Sequence, residues 1–296
     1  MRYSSLFLLI PVIFWGLSYI AIKIVLSELD PVEMISIRFL LGAPTLYLVL
    51  KFKKIHLFPV QQFWKLIIGG LLIYIHFWVM AVGMIETTAS NTAWILTTAP
   101  IFIAILGWMF LSETFKIIQW VGLLIAAIGV LFLTANGSLD NLAWIKSRGD
   151  IIVLGSCVTW AIYTIWVRKI TAHTHPLTAT FWMTTIAGLI FIPYTFLTTD
   201  AVKFTSLQNS TIISLIFLGV FCLAIAFWLW SEGLKRLKAA EVGIYLYIEP
   251  LITMIGAWII LSESITVWLI IGAILISIGV VVAEKYGKVK VAEHDV

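Results

Sequence analysis

The sequence contains two copies of one unit. Residues 69–133 align without a gap to residues 219–283, and 17 of the 65 aligned positions are identical. The identical positions hold glycine, proline, tryptophan and glutamate as well as apolar residues, and they include Phe77/Phe227, Trp78/Trp228, Gly83/Gly233, Pro100/Pro250, Glu113/Glu263, Gly122/Gly272 and Gly129/Gly279. A similar apolar composition of the two segments would not align Gly, Pro, Trp and Glu at the same positions by chance. The fold must therefore be built from two similar halves.

Composition decides where such a chain can fold. Hydrophobic residues make up 61% of the sequence and charged residues 11%, with a mean hydropathy of +1.07. A water-soluble domain of 296 residues could not bury that much apolar surface, whereas a lipid bilayer accepts it directly. The net charge of +4 comes from basic residues scattered in short loops, which does not indicate nucleic-acid binding. Both cysteines lie inside apolar runs, which argues against a disulfide or a metal site.

Ten apolar segments are long enough to cross a bilayer. Roughly 20 helical residues span a hydrocarbon core of ~30 Å. The predicted spans are residues 4–26, 32–50, 64–84, 88–111, 117–134, 151–170, 177–197, 211–231, 239–261 and 266–283. The polar segment 135–150 is the predicted linker between a first repeat, residues 1–134, and a second repeat, residues 151–284, and residues 285–296 form a cytoplasmic tail.

Lysine and arginine orient the bundle. Of the 19 basic residues, 14 fall in segments on the side of the two termini and three in loops on the other side. By the positive-inside rule both termini lie in the cytoplasm, and we expect a multi-pass protein of the plasma membrane, the inner membrane of a bacterium. Five spans per copy is an odd number, so the copies cross the membrane in opposite directions. The predicted fold class is an all-α membrane protein with ten transmembrane helices as two inverted five-helix repeats, an architecture that allows alternating access.

Several short motifs fall at fixed places in this pattern. They are Phe14-Trp15-Gly16 in the first span, Arg38-Phe39 in the second, and a Pro…Leu-Ser-Glu…Gly…Gly-Val string in both halves. With these residues the chain resembles the ten-helix EamA-type members of the drug/metabolite transporter superfamily along essentially its whole length. The resemblance implies transport of small metabolites, often amino acids or amphipathic cations, commonly outward. The four-helix relatives carry an acidic residue in the first helix, and because this chain has none there, that coupling carboxylate is not carried over.

Glu249 is the strongest candidate for a functional residue. It lies near the middle of the ninth span, where an ionisable group costs several kcal/mol. Pro250 follows it and disturbs the helix, which leaves backbone carbonyls for a ligand or ion. The carboxylate could bind a substrate ammonium, exchange a proton, or do both in competition. The alternative is a hydrogen bond across a helix interface that orders the bundle.

Two equivalent helix faces carry polar and aromatic residues. On the ninth span Glu241, Tyr245 and Glu249 share one face at 100° per residue, and on the fourth span the matching face holds Asn91, Trp94 and Thr98. Packing between helices in lipid favours small residues over Trp and Tyr, so we expect these faces to line a cavity. Glu249 and Glu241 are the proton-coupling candidates.

Other aromatic residues recur between the halves. Trp78 and Trp228 coincide under the offset of 150 residues, Trp15 and Trp160 under an offset of 145, and Tyr19 and Tyr163 lie one turn from the latter pair. An aromatic-walled cavity with one buried acid suits a cation, and it equally suits an aromatic amino acid by stacking.

Two basic side chains and the Leu-Ser-Glu motif have more than one interpretation. His76 could relay a proton or form a structural hydrogen bond. Arg38 could hold a substrate carboxylate, or it could reach the surface or pair with an acid in the adjacent loop. Glu113 and Glu263 lie at span ends beside serine, which favours helix capping.

The chain carries none of the motifs that would indicate an enzyme or an ATP site. We therefore expect a secondary transporter, an exporter of a small metabolite such as an amino acid or an amphipathic or aromatic amine, with proton coupling as an option. The alternatives are an importer of a cationic or zwitterionic metabolite and, in another class, a membrane receptor or enzyme. The expected partners are a small-molecule substrate and the lipid bilayer, with no nucleic acid, metal or cofactor. Substrate identity, direction, driving ion and oligomeric state stay open at this stage.

Overall fold

The computed structural model describes residues 6–58, 63–87, 92, 95–113, 116–135, 147–198, 205–261 and 266–286. These residues form ten helical segments and no strand. The segments are α1 (Leu9–Val25, after a 3₁₀ turn at Leu6–Leu8), α2 (Pro31–Phe52), α3 (Phe63–Ile85), α4 (Ala99–Leu111), α5 (Ile117–Ala135), α6 (Arg148–Thr171), α7 (Pro176–Thr198), α8 (Asn209–Arg236), α9 (Ala239–Gly243, Ile244–Ile248 and Glu249–Leu261) and α10 (Val267–Tyr286).

Each predicted span corresponds to one of these helices. Seven helices are long and apolar enough to cross a membrane, and α4, α5 and α10 are shorter apolar helices. The predicted fold class, an all-α membrane protein with ten helices, is confirmed. We call the side on which α1 begins the inner side, and it is the predicted cytoplasmic side. Helix α9 begins on the same side, because eight helices separate their starting points.

The helix starts are determined by local sequence. Asp30 precedes α2 with Pro31 at the first helical position, and the Glu33 carboxylate accepts the Asp30 backbone N–H at 2.8 Å. Ser147 and Asp150 form the same reciprocal arrangement at the start of α6. Such capping boxes satisfy amides that have no partner inside the helix, so they fix where α2 and α6 begin.

The packing of α5 against α10 shows directly that the repeats are inverted. A Cβ added to Gly122 would lie 2.7 Å from the carbonyl oxygen of Gly279, and one added to Gly129 would lie 2.9 Å from that of Gly272. Exchanging the two copies converts the Gly122/Gly279 contact into the Gly272/Gly129 contact, which is the other contact observed. A pseudo-twofold axis therefore passes between these antiparallel helices, and only glycine permits the close approach.

Two helices depart from α-helical geometry near the middle of the bundle. Residues Phe217–Ile225 of α8 form a π-helical segment, and residues Ile244–Ile248 of α9 form a 3₁₀ segment. After the 3₁₀ segment the α-helix resumes at Glu249, just as α4 begins at the equivalent residue Ala99. Proline is tolerated in a first helical turn, so Pro100 and Pro250 fit directly behind these starts.

Candidate functional site

A cavity of about 100 Å³ lies in the centre of the bundle. It is lined by residues of α1 (Trp15, Ser18, Tyr19, Ile22), α2 (Arg38), α3 (His76, Phe77, Met80), the start of α4 with the turn before it (Leu96, Ala99), α6 (Trp160), α8 (Phe227) and α9 (Leu246, Glu249). Along α1 it extends from Trp15 to Ile22, which is about 10 Å at the rise of an α-helix, toward the outer side.

The apolar walls of the cavity reflect the internal symmetry. Three pairs related by the offset of 150 residues line it, as do the two tryptophans related by the offset of 145: Phe77/Phe227, Leu96/Leu246, Ala99/Glu249 and Trp15/Trp160. Because both residues of each of these pairs line the cavity, the cavity lies on the pseudo-twofold axis. This is where an inverted repeat can expose one site to either side of a membrane.

The polar groups break that symmetry. Glu249 stands opposite Ala99, and His76 stands opposite Ala226 under the same offset. Glu249 is only 9% exposed, and the Tyr19 hydroxyl donates a hydrogen bond to its Oε2 at 3.1 Å. The acidic group is therefore present in one repeat only, while the apolar walls follow the two-fold symmetry.

Close packing of α1 against α9 holds Tyr19 beside Glu249. A Cβ added to Gly16 would lie 2.6 Å from the Ile252 Cβ and 2.9 Å from the Glu249 carbonyl oxygen. The Thr253 hydroxyl donates to the Gly16 carbonyl oxygen at 2.8 Å. These contacts hold the two helices together, so the Tyr19–Glu249 hydrogen bond joins two closely packed helices.

Arg38 brings a positive charge to the same cavity. Its side chain is 5% exposed, and its guanidinium carbon lies 5.2 Å from the centre of the Phe77 ring. Its Nε is buried and has no hydrogen-bond partner among the described residues. Arg38 and Glu249 are both described and both line the cavity, yet no ion pair joins them at 4.0 Å or less. Arg38 and Glu249 thus both reach the cavity without contacting each other directly.

His76 adds a further polar group to the cavity. Its Nδ1 lies 3.0 Å from the carbonyl oxygen of Ser156 and 3.3 Å from the Thr159 hydroxyl. A carbonyl oxygen can only accept, so Nδ1 carries a proton and donates to it. The predicted structural hydrogen bond is present, and the ring also lines the cavity.

Aromatic rings close the inner side of the cavity. Trp15 meets Trp160, Phe227 and Trp230 edge to face, with ring centres 5.3–5.6 Å apart. The Trp15 indole N–H donates to the carbonyl oxygen of Cys222 at 2.9 Å, within the π-helical segment of α8. A π-helix shifts backbone carbonyls out of the α-helical pattern, so this segment offers an acceptor that a regular helix would have used.

Six of the residues predicted from the sequence line this cavity: Glu249, Trp15, Tyr19, Trp160, Arg38 and His76. Tyr163 packs behind Trp160 with ring centres 5.4 Å apart. Asn91 and Trp94 fall outside the described residues, as does Glu263.

The other predicted site residues lie away from the cavity. Trp78 packs between Tyr74 and Tyr194, and Trp228 lies near the inner end of the bundle beneath the Lys53 ammonium. The Thr98 hydroxyl donates to the Ile95 carbonyl oxygen at 2.8 Å. Glu241 accepts the backbone N–H of Lys238 at 3.3 Å and so caps the start of α9.

Tyr245 is buried in the core, 1% exposed, because the helix it lies on is not α-helical. A 3₁₀ helix turns roughly 120° per residue instead of 100°, which adds up to roughly 80° over the four steps from Tyr245 to Glu249. The face that carries Tyr245 therefore does not coincide with the face that carries Glu249, contrary to the prediction from an ideal α-helix.

Sequence reasoning missed the symmetric pair at the centre of the cavity. Phe77 and Phe227 face each other with ring centres 6.1 Å apart, and they were among the identical positions of the repeat. The prediction from the sequence names their neighbours Trp78 and Trp228 instead. The repeat carried the signal, but it does not say which of two adjacent aromatic residues points inward.

A model of the EamA-like transporter family matches residues 2–135 and 147–284. The chain belongs to this family. The predicted resemblance to EamA-type drug/metabolite transporters is confirmed. Among the described residues no group of three or more His, Cys, Asp or Glu side chains could hold a metal ion.

Relatives of this EamA-like protein are named as transporters. An "Uncharacterized transporter" of Archaeoglobus fulgidus is 26% identical over 94% of this chain and 96% of its own length. A "Probable amino-acid metabolite efflux pump" of Salmonella typhimurium is 27% identical over 94% of this chain and 93% of its own. A solved crystal structure with 18% identity shares the fold, with a TM-score of 0.79 over 96% of this chain and 99% of that one. These names point to transport rather than catalysis.

Proposed function

We propose that this protein is a secondary transporter that exports a small zwitterionic metabolite, an amino acid being the simplest case, by alternating access. One observation carries the proposal. Arg38 and Glu249 line the same buried cavity and do not pair with each other, so each is available to a ligand charge of opposite sign.

The chemistry of Arg38 and Glu249 indicates which end of the substrate each side chain binds. A carboxylate accepts two parallel N–H bonds from a guanidinium, so the substrate carboxylate binds Arg38. The substrate ammonium binds Glu249, whose second partner is the Tyr19 hydroxyl. The substrate side chain then packs against the aromatic rings of Trp15, Trp160 and Phe227, which supply apolar surface and ring faces.

Export and ion coupling have separate support. The Salmonella relative is named for efflux of amino-acid metabolites. Glu249 is the acid that lines this cavity, so its proton and the substrate ammonium would compete for one carboxylate. Such competition would let an inward proton gradient drive outward substrate movement.

Binding is tested on purified protein. Amino acids, primary amines and carboxylic acids of matched size are screened by thermal shift, because a ligand of the folded state raises the apparent stability. We expect stabilisation by amino acids and loss of it in both Glu249→Gln and Arg38→Gln. Trp78→Phe is the control, because Trp78 lies outside the cavity. Stabilisation by amines alone, unaffected by Arg38→Gln, would instead indicate a transporter of cations.

Transport is tested in proteoliposomes with a hit from that screen. We expect saturable flux that an imposed pH gradient accelerates in the wild type. In Glu249→Gln the flux should fall and lose its dependence on the gradient. Flux in that variant that is undiminished and equally dependent on pH would refute the role of Glu249.

A further inference from the structure

Outside the central cavity, a carboxylate of the first repeat holds the start of a helix in the second. Glu113 lies just after α4 and is 7% exposed. Its Oε1 accepts the backbone N–H of Ala239 at 2.8 Å, and its Oε2 accepts that of Ala240 at 3.4 Å. Helix capping was predicted for Glu113, but the helix that it caps is α9 rather than one of its own repeat.

Local geometry turns Glu113 toward α9. Ser112 has a left-handed conformation with φ of 52°, and the Glu113 amide returns to the Gly107 carbonyl oxygen at 3.2 Å. A Cβ on Gly107 would lie 3.0 Å from Glu113 Oε2, so glycine leaves the room that the carboxylate occupies. The same end of α9 packs on α4 through Gly243, whose added Cβ would lie 3.2 Å from Ile103.

The capped helix leads directly to the substrate site. Glu249 lies ten residues beyond Ala239 on α9, and the 3₁₀ segment Ile244–Ile248 lies between them. Short 3₁₀ stretches inside a longer helix often mark hinges. Movement at the start of α9 would therefore either reach Glu249, which we assign to the substrate ammonium, or be absorbed in the 3₁₀ segment just before it.

We propose that Glu113 is a positioning residue that holds the inner mouth of the transporter closed by capping α9, and that its release accompanies opening to the inner side. The inference rests on the proposed function. The contact between the buried carboxylate and the two amides has two stable alternatives. In the closed state the carboxylate accepts both amides, and once the mouth opens water can replace both hydrogen bonds. The N–H of Lys238 is held separately by Glu241, so α9 keeps one cap after Glu113 leaves.

Side-specific accessibility tests the proposal without any substrate. Thr164 and Met80 are replaced one at a time by cysteine in a background in which Cys157 and Cys222 are serine. Thr164 is fully buried, lies one turn inward of Trp160 on α6, and corresponds to Tyr19 under the offset of 145 residues, so it should line the path on the inner side. Met80 lines the cavity toward the outer side. A membrane-impermeant thiol reagent is then added from either side.

We expect Glu113→Ala to raise the rate of modification of Thr164→Cys from the inner side about tenfold, which corresponds to ~1.4 kcal/mol. The rate for Met80→Cys from the outer side should fall in the same variant. Glu241→Gln is the matched control, because it removes a carboxylate from the same helix start that makes no cross-repeat hydrogen bond within the described part of the chain. It also removes a negative charge near Glu113, so it should not raise the rate from the inner side. Glu113→Gln keeps one acceptor oxygen and should give an intermediate effect, which also serves if the alanine variant folds poorly.

Unchanged rates would overturn the proposal. So would a rise on both sides, because that is the signature of a loosened bundle rather than a shift between two states. The outcome is separable from that of the proposed function. Loss of zwitterion binding with side-specific accessibility intact would refute the substrate assignment only.

Discussion

The assignment of Arg38 to the substrate carboxylate makes a quantitative prediction. The Nε of Arg38 is buried without a partner among the described residues, and the side chain lines the cavity, so a ligand carboxylate would provide its charge-assisted hydrogen bonds. Such bonds contribute about 1.5–3 kcal/mol net. Taking about 2 kcal/mol, an amino acid should bind about 30-fold more tightly than its carboxamide, which keeps the ammonium and loses the carboxylate charge.

The perturbation is Arg38→Gln, and the assay is calorimetric titration of both ligands into both proteins. The wild type should distinguish the amino acid from its amide by about 30-fold, and the variant should bind the two within a few-fold of each other. Glu249→Gln is the complementary change. It should weaken both ligands alike, because both retain the ammonium.

The four affinities form a cycle, which separates a direct contact from a general disturbance of the site. A structural disturbance by Arg38→Gln would weaken both ligands by the same factor. If the 30-fold preference for the amino acid persists in Arg38→Gln, the carboxylate is held elsewhere and Arg38 is not its partner.

Three further predictions concern the packing and the hydrogen bonds. Gly122→Ala should cost about 1–3 kcal/mol and lower the midpoint of thermal unfolding, because its Cβ would lie 2.7 Å from a backbone oxygen of α10; Gly155→Ala, whose nearest neighbour is at 3.9 Å, should not lower it. Tyr19→Phe removes the hydroxyl that donates to Glu249 and should change substrate affinity by about 3- to 10-fold with no change in the selectivity for the carboxylate. Burial raises the pKa of Glu113, the amides of Ala239 and Ala240 and the charge of Arg168 lower it, and Glu241 raises it further. Since that pKa is higher in the closed state than in water, the cap is fully favoured below the ordinary value of ~4.3 and weakens as the pH rises through the raised pKa. Modification of Thr164→Cys from the inner side should therefore speed up as the pH rises through the raised pKa of Glu113, and a wild-type profile as flat as that of Glu113→Gln would contradict it.

The repeat explains why much of the fold could be predicted from the sequence. Gly122 and Gly129 recur as Gly272 and Gly279, and these residues meet across α5 and α10 in symmetric pairs. Glycine at helical spacing in an apolar chain has few roles other than close approach, so its recurrence carries structural information. The odd number of spans per copy then determines the inversion.

The site was harder to predict, because the direction of a side chain depends on how far the helix rotates per residue. Helix faces were assigned at 100° per residue, which held for Trp15 and Tyr19 on α1. It did not hold across the 3₁₀ segment before Glu249, where Tyr245 turns into the core. A single sequence shows which residues can be functional, but it does not show where a helix changes its pitch.

Long-range hydrogen bonds were the other gap. Glu113 was expected to cap a helix, and its local sequence is the same as that of any serine–glutamate pair at a helix end. That its carboxylate binds Ala239, 126 positions away in the chain, depends on the crossing of α4 and α9. Only the assembled bundle provides that partner.

The pair Ala99/Glu249 has a consequence for how such a chain could arise. A single five-helix unit that paired with an identical copy in dual topology would place every residue near the two-fold axis twice. An acid at this position would then meet its own duplicate across the cavity, and two buried like charges would repel each other. Joining the copies in one polypeptide removes that constraint, because each half can then change independently. In this chain one half has alanine where the other carries the carboxylate. A single acid beside a two-fold axis is something that no symmetric dimer of identical subunits can build.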